Sequence, residues 1–353
     1  MPKILFYLND TTACSFYRCF MPALWLNKIG LAEAYCSYGL FSRGEKAIDY
    51  DQYYSGGLLK VAESDQRKTL TPYEFEKEFE DIDMVVYQRQ SNNSSLTHLR
   101  AMKKLGKRVY VEHDDLICGD TGLPSVNKIY ADPKRRELLE TICRESDGVI
   151  VSTEYLAQFF SRLNDNIQVC PNSIDPDLWQ WQGVMSPNLS VGFAGSSSHV
   201  RDFKHVPTWS ISKRWPMMFI GMTVSSTPET DIIPWVRLKD YPKCLSGAFT
   251  IGLAPLKRND FNASRSVLKW LEYSMAGIAT ISEDFGPYDI IRNGIDGFRV
   301  NGEWIEAIEC MVSNPELSES LVLSAQERIL RDFTIQSGVL KWQEVFSGAG
   351  VSV

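Results

Sequence analysis

The chain has 353 residues, 44% of them hydrophobic and 23% charged, a globular composition with enough length for two separate cores. Its net charge of −7 offers no broad basic face for tight nonspecific binding of nucleic acid, and no apolar run approaches a membrane span. Eight cysteines without a C-x-x-C pair, and only four histidines, argue for free thiols in a reducing cytosol rather than a disulfide or zinc framework. The apolar start at residues 1–9 is too short for a signal peptide, so a cytoplasmic protein is expected.

Residues 3–9 (KILFYLN) read as a buried first strand. A polar loop over 10–15 follows, then a helix over 16–29 that carries Tyr17 and Arg18 at its start. The carboxyl end of a strand is where open α/β sheets place ligands, which makes Arg18 a site candidate; the alternative is a core tyrosine beside a surface arginine. A second strand is expected near 34–38, loops with one short helix over 41–71, and an acidic helix over 72–81. Residues 84–89 (MVVYQR) form a strand and 95–105 a helix closed by Gly106. The strand at 108–112 then delivers His113, Asp114 and Asp115 to its carboxyl end. Three ionisable residues are costly to pack in a core, which favours a site; a capping turn built on Asp114 or Asp115 is the other reading. No further ligand set accompanies them, so no metal is expected. A helix over 132–146, a strand at 148–152, a helix over 153–163 and a strand at 167–170 complete an alternation that predicts a parallel, doubly wound sheet.

Pro171-Asn172-Ser173-Ile174-Asp175-Pro176 breaks this pattern, and a Trp-bearing linker over 179–188 leads into a second domain. That domain opens with a strand at 189–194 and the small-residue loop Gly195-Ser196-Ser197-Ser198-His199. Such a loop lets backbone approach phosphate closely, while His199 and Asp202 cap the next helix. Strands at 217–221 and 249–255 flank a short helix at 241–247. Residues 261–300 then organise the domain: a polar Asn-Ala-Ser-Arg-Ser turn, a helix to about Ala276, a Gly277 cap, a strand at 278–282, a Gly-Pro turn and a Gly-x-x-Gly turn at Gly294 and Gly297. Arg265, Lys269 and Glu272 recur at i, i+4 and i+7 on one face of the expected helix. With the hydroxyls of Ser264 and Ser266 at its start, this arrangement suits a nucleoside diphosphate, the cations meeting phosphate and the carboxylate meeting ribose. A solvated face of i,i+4 pairs is the competing explanation. Helices over 302–313, 315–332 and 335–346 close the chain.

Lys269, Glu272, Gly277, Gly286, Pro287, Gly294 and Gly297 resemble the donor-site segment of family 4 glycosyltransferases of the GT-B fold. The break at 171–176 is similar to the Pro-Asn-Gly-Ile-Asp segment that leads out of the first domain in these enzymes. The resemblance implies an α/β protein with two doubly wound, Rossmann-like domains facing a central cleft. Acceptor-side residues 1–172 would form one domain and donor-side residues 173–334 the other, with a final helix at 335–353 returning to the first. It implies a retaining glycosyltransferase, hexosyl or pentosyl, without a metal, in which the leaving phosphate assists the incoming hydroxyl. His113, Asp114, Asp115 and Arg18 would face the sugar and acceptor. Gly195, Ser196, Ser264, Arg265, Ser266, Lys269 and Glu272 would hold a nucleotide sugar, a UDP-sugar ahead of a GDP-sugar. The acceptor would be a glycan or lipid-linked sugar, with a hydroxymethylated pyrimidine in phage DNA ranked second, since residues 1–172 offer no excess of cations. The family commonly carries another Glu eight positions before Glu272, where this chain has Ser264. That departure supports a second reading, a catalytically degenerate nucleotide-binding homologue.

Overall fold

A computed structural model describes residues 1–40, 42–54, 70–116, 131–179, 189–222, 224 and 230–347. The chain divides into two compact units, one from residues 1–116, 131–172 and 335–347, the other from 173–334. Residues 55–69 of the expected loop region and 180–188 of the expected linker lie outside the described residues.

The first unit contains β1 (Lys3–Tyr7), β2 (Glu33–Ser37), β3 (Glu45–Lys46), β4 (Met84–Gln88), β5 (Arg108–His113), β6 (Gly148–Val151) and β7 (Ile167–Val169), in the sheet order β3-β2-β1-β4-β5-β6-β7. All neighbours pair in parallel except β3, a two-residue edge strand antiparallel to β2. β4 and β6 are buried along their whole length, as continuous apolar runs covered on both faces should be. Strand order reverses between β1 and β4, so the carboxyl ends of those two strands flank a topological switch point.

The helix expected over 16–29 starts three residues earlier and is not uniform. Ala13–Ser15 is α-helical, Phe16–Phe20 is a π-turn, and Met21–Lys28 is α-helical again. Thr12 caps it by accepting from the Cys14 N–H. The wider π-turn sits at Arg18, and such bulges concentrate at functional or strained positions. The last helix, Ile335–Ser347, packs in this unit, with Trp342 and Phe346 edge-on to Phe6 of β1 at 5.7 and 6.2 Å between ring centres.

The second unit holds β8 (Val191–Ala194), β9 (Met217–Ile220), β10 (Thr230–Ile233), β11 (Ile251–Ala254), β12 (Ala279–Glu283) and β13 (Phe298–Val300), ordered β10-β9-β8-β11-β12-β13 and wholly parallel. The edge strand β10 escaped the sequence analysis because it is short and its four residues stay at least partly exposed, which erases the apolar signal. The switch point here lies between β8 and β11.

The organising helix also begins later than expected. A short turn of helix, Asp260–Ala263, is capped by Asn259, and the main helix runs Leu268–Met275 with Val267 at its N-cap. Between them the Ser264 hydroxyl donates to the Phe261 carbonyl, closing the first piece locally instead of opening the second. Gly277 takes the left-handed conformation (φ 79°) that ends this helix. Trp270, fully buried, fixes it against the following loop by donating its indole N–H to the Asp296 carbonyl at 2.7 Å.

Candidate functional site

The strongest constellation lies in the second unit, where β8 delivers Gly195 beyond its carboxyl end. The main helix aims Lys269 there, and its ammonium donates to the Ala194 carbonyl at 2.6 Å above the Phe193 ring. Gly195 is required at this spot: a Cβ would stand 2.8 Å from Lys269 Nζ and 2.7 Å from the Phe193 ring. Burial pushes Lys269 down to about 8, with Glu272 pulling it up and Arg265 pushing it further down. An ammonium has three donors, and the Ala194 carbonyl takes one.

Arg265 lies in the turn before the helix, and its Nη1 donates to His199 Nε2 at 2.6 Å. His199 Nδ1 in turn meets Asp202 Oδ2 at 2.9 Å. Burial, reinforced by the charges of Arg265 and Lys269, holds His199 well below the ordinary imidazole range, so the ring is neutral. A neutral ring that accepts at Nε2 must carry its proton at Nδ1, facing Asp202. Asp202 also accepts from the Lys257 N–H and the Asn262 amide, so the whole row is braced from the β11 side. The Arg265 Nε–H is buried without a hydrogen-bond partner among the described residues. His199 and Asp202, which the sequence suggested as mere caps, therefore orient Arg265.

Glu272 is buried and accepts from the Tyr241 hydroxyl at 3.3 Å. Burial of Glu272 and the inward aim of Lys269 remove the solvated-face explanation. Ser264 and Ser266 require a correction. Neither stands at the helix start, which falls at Val267, and the fully buried Ser264 hydroxyl turns back to the Phe261 carbonyl. Ser196, by contrast, is exposed beside Gly195, its hydroxyl paired with that of Ser198 at 2.7 Å.

The first-unit candidates separate. Strand pairing extends through His113, so side chains along β5 alternate between faces. His113 is fully buried, stacked on Phe160 at 4.7 Å between ring centres, with Nε2 3.6 Å from Cys143 Sγ. Burial lowers it to about 3. An expected role facing sugar does not fit this enclosed ring. Arg18 is also enclosed. Its Nε donates to Glu112 at 2.6 Å and its Nη1 to the Cys170 carbonyl and the Asn172 amide oxygen. Burial pushes Glu112 up to about 7, with Arg18 pulling the other way. Glu112 escaped the sequence analysis, although a carboxylate inside an apolar strand was the available signal.

Asp114 and Asp115 do reach the carboxyl end of the sheet. Arg89, just past β4, lies 3.2 Å from Asp114, 3.5 Å from Asp115 and 2.9 Å from Asp10. It holds a left-handed backbone (φ 47°), a strained conformation for a long side chain. Burial pushes Asp10 up, but Arg89 and bonds from Thr12 and Ser15 outweigh it and hold the carboxyl below its ordinary value. Cys14, Asp114 and Asp115 place potential metal ligands within 4.8 Å of one another. The Arg89 guanidinium already balances those carboxylates, and burial pushes the Cys14 thiol well up, which makes it a poor ligand.

The overall fold of this chain is similar to that of several solved structures. HepE from Anabaena, in complex with UDP-glucose, superposes with a TM-score of 0.68 at 11% identity, covering 99% of this chain and 100% of HepE. Sucrose-phosphate synthase from Thermosynechococcus elongatus gives 0.62 at 10% identity with 100% of both chains covered. A mutant of S. aureus TarM, in complex with fondaparinux, alpha-GlcNAc-glycerol and UDP, gives 0.54 at 16% identity over 74% of this chain and 55% of TarM. The fold is GT-B. No family model matches the sequence, and no curated protein does. Among the described residues no helix is long and apolar enough to cross a membrane.

In this GT-B chain both clusters sit at carboxyl ends of parallel strands, but only the second-unit cluster combines available cations, a close-approach glycine and a buried carboxylate. Gly195→Ala tests that contact directly. The added methyl should displace the Lys269 ammonium and crowd the buried Phe193 ring, so calorimetry should show a nucleoside diphosphate binding about tenfold more weakly and the melting temperature should fall. Unaltered affinity would detach Gly195 from the site.

Proposed function

We propose that the chain is a glycosyltransferase that takes a sugar from a nucleotide-sugar donor, a UDP-sugar first, held by the second unit. The observation that carries this reading is the grouping of Gly195, Lys269, Arg265 and Glu272 at the carboxyl end of β8. Lys269 and Arg265 would stabilise the negative charge that grows on the departing diphosphate, the main electrostatic task of such a transfer. Arg265 is held by neutral His199 and keeps a buried N–H in reserve. Ser196 adds an exposed hydroxyl at the same loop. Glu272 would accept from ribose hydroxyls, which a carboxylate can do twice over. The complexes of HepE with UDP-glucose and of TarM with UDP support UDP as the nucleotide.

Retention of anomeric configuration, with the leaving phosphate assisting the incoming hydroxyl, remains part of the proposal. So does the acceptor, a glycan or lipid-linked hydroxyl, on the side of the first unit where Asp114 and Asp115 gather around Arg89. The acidic balance of the chain favours that class over DNA.

Glu272→Gln provides the test. It keeps the size but gives up the charge and half the acceptor capacity, so UDP and UDP-glucose should both bind several-fold more weakly. Their losses should match, because the ribose is common to both. Calorimetric titration reads this, alongside release of UDP from UDP-glucose with and without a glycan acceptor. Unchanged UDP affinity in the variant would remove Glu272 from the donor site.

A further inference from the structure

Beyond the phosphate and ribose residues, the same face of the second unit carries an aromatic side chain that the folded core does not use fully. Trp235 follows β10, and half of its surface is exposed, although the ring it rests on, Tyr241, is buried. One face of the indole stacks on Tyr241, at 5.5 Å between ring centres and 29° between planes. Tyr241 is itself buried, braced edge-on by Trp179 at 5.7 Å. The indole edge lies over Gly221 at the end of β9. Gly221 has a left-handed backbone (φ 80°), and a Cβ there would stand 2.4 Å from the indole and 2.9 Å from the Gly195 carbonyl. Two glycines thus bring the ring beside the loop after β8, and the tyrosine fixes its plane.

The connections run in a chemically meaningful order. Trp235 rests on Tyr241, Tyr241 donates to Glu272, and Glu272 lies one helical turn from Lys269, whose ammonium reaches the Ala194 carbonyl next to Gly195. A base, a ribose and a diphosphate follow one another in the same sequence along a nucleotide. We propose that Trp235 is the platform on which the base of the bound nucleotide stacks. The proposal rests on the donor-site reading given above and deepens it. A flat, pre-oriented indole recognises the π-face that every base presents, so it supplies affinity for nucleotides as a class. Selection among bases falls to other groups at the base edge.

The experiment titrates UDP, GDP, ADP and inorganic pyrophosphate into wild type, Trp235→Ala, Trp235→Phe and the control Trp209→Ala, which removes another exposed tryptophan. Trp235→Ala should weaken whichever nucleotide wild type binds by about tenfold or more and leave pyrophosphate affinity unchanged. Trp235→Phe should restore most of the loss, and Trp209→Ala should match wild type. Equal nucleotide affinity in Trp235→Ala would overturn the platform while leaving the donor site standing. Parallel loss of nucleotide and pyrophosphate would also overturn it, because the indole would then only support the local fold. A wild-type protein that binds none of the three nucleotides would overturn both readings.

Discussion

Lys269→Met should weaken binding of UDP by about 10- to 100-fold, the loss of one charged hydrogen bond to a diphosphate. The ammonium is fixed before any ligand arrives, by the Ala194 carbonyl at 2.6 Å and the Phe193 ring below it. Little ordering entropy is then left to lose on binding. A pH dependence separates this cation from its neighbours. Burial lowers Lys269 to about 8, so its charge is complete at pH 6.5 and fades as pH rises through that value. Wild-type UDP affinity should therefore fall between about pH 8 and 10, while the methionine variant shows no such fall over that window. Stability should move the opposite way. The folded chain binds this proton less tightly than the unfolded one, so Lys269 makes wild type more stable as pH rises from about 8 toward 10.5. Calorimetry across pH reads the first trend and urea unfolding the second. A methionine variant that keeps wild-type affinity and wild-type pH dependence would remove Lys269 from the phosphate site.

Arg18→Met should act on folding rather than on chemistry. It strands Glu112, fully buried at the end of β5, and breaking one side of a buried pair costs about 3–5 kcal/mol. The damage should be greatest at neutral and alkaline pH. Burial already pushes Glu112 up to about 7, and removal of Arg18 pushes it further, so the stranded carboxyl is neutral in acid and charged above. The group's folded value lies above its unfolded one, hence stability is retained below about pH 4.5 and lost as pH rises through the folded value. Adding Glu112→Leu should recover most of the loss by removing the orphaned charge. Urea unfolding of both single variants and the double variant supplies the cycle. If Arg18→Met unfolds like wild type but loses turnover, Arg18 contacts substrate after all, and the π-turn that carries it is a site element.

The contrast between these two cations explains which parts of the site could be read before the fold was known. Both are basic residues near the carboxyl end of a strand. The spacing that joins Lys269 to Glu272 is local, three residues along one helix, and local geometry follows from sequence. The partner of Arg18 is 94 residues away, and no period or motif connects them. His113 misled for a related reason. A charged triplet after an apolar run marks a strand end, but whether the first of the three still belongs to the strand decides which face it takes. One more paired residue turned His113 toward Phe160 and Cys143. The expected helix start at Ser264 was misplaced for a local reason instead, because a serine hydroxyl can open a helix or close the preceding turn, and that of Ser264 closes the turn.

The sequence by itself determined the alternation of apolar strands and helices, the break after residue 170, and the row of Lys269, Glu272 and Gly277. Each is a short-range property of hydrophobic period or backbone conformation. Only tertiary structure decided that β10 joins the sheet, that His199 and Asp202 stand behind Arg265, and that Gly195 and Gly221 clear space for Lys269 and Trp235. Those outcomes depend on close approach between segments far apart in the chain. Close approach is set by packing, which no single stretch of residues encodes.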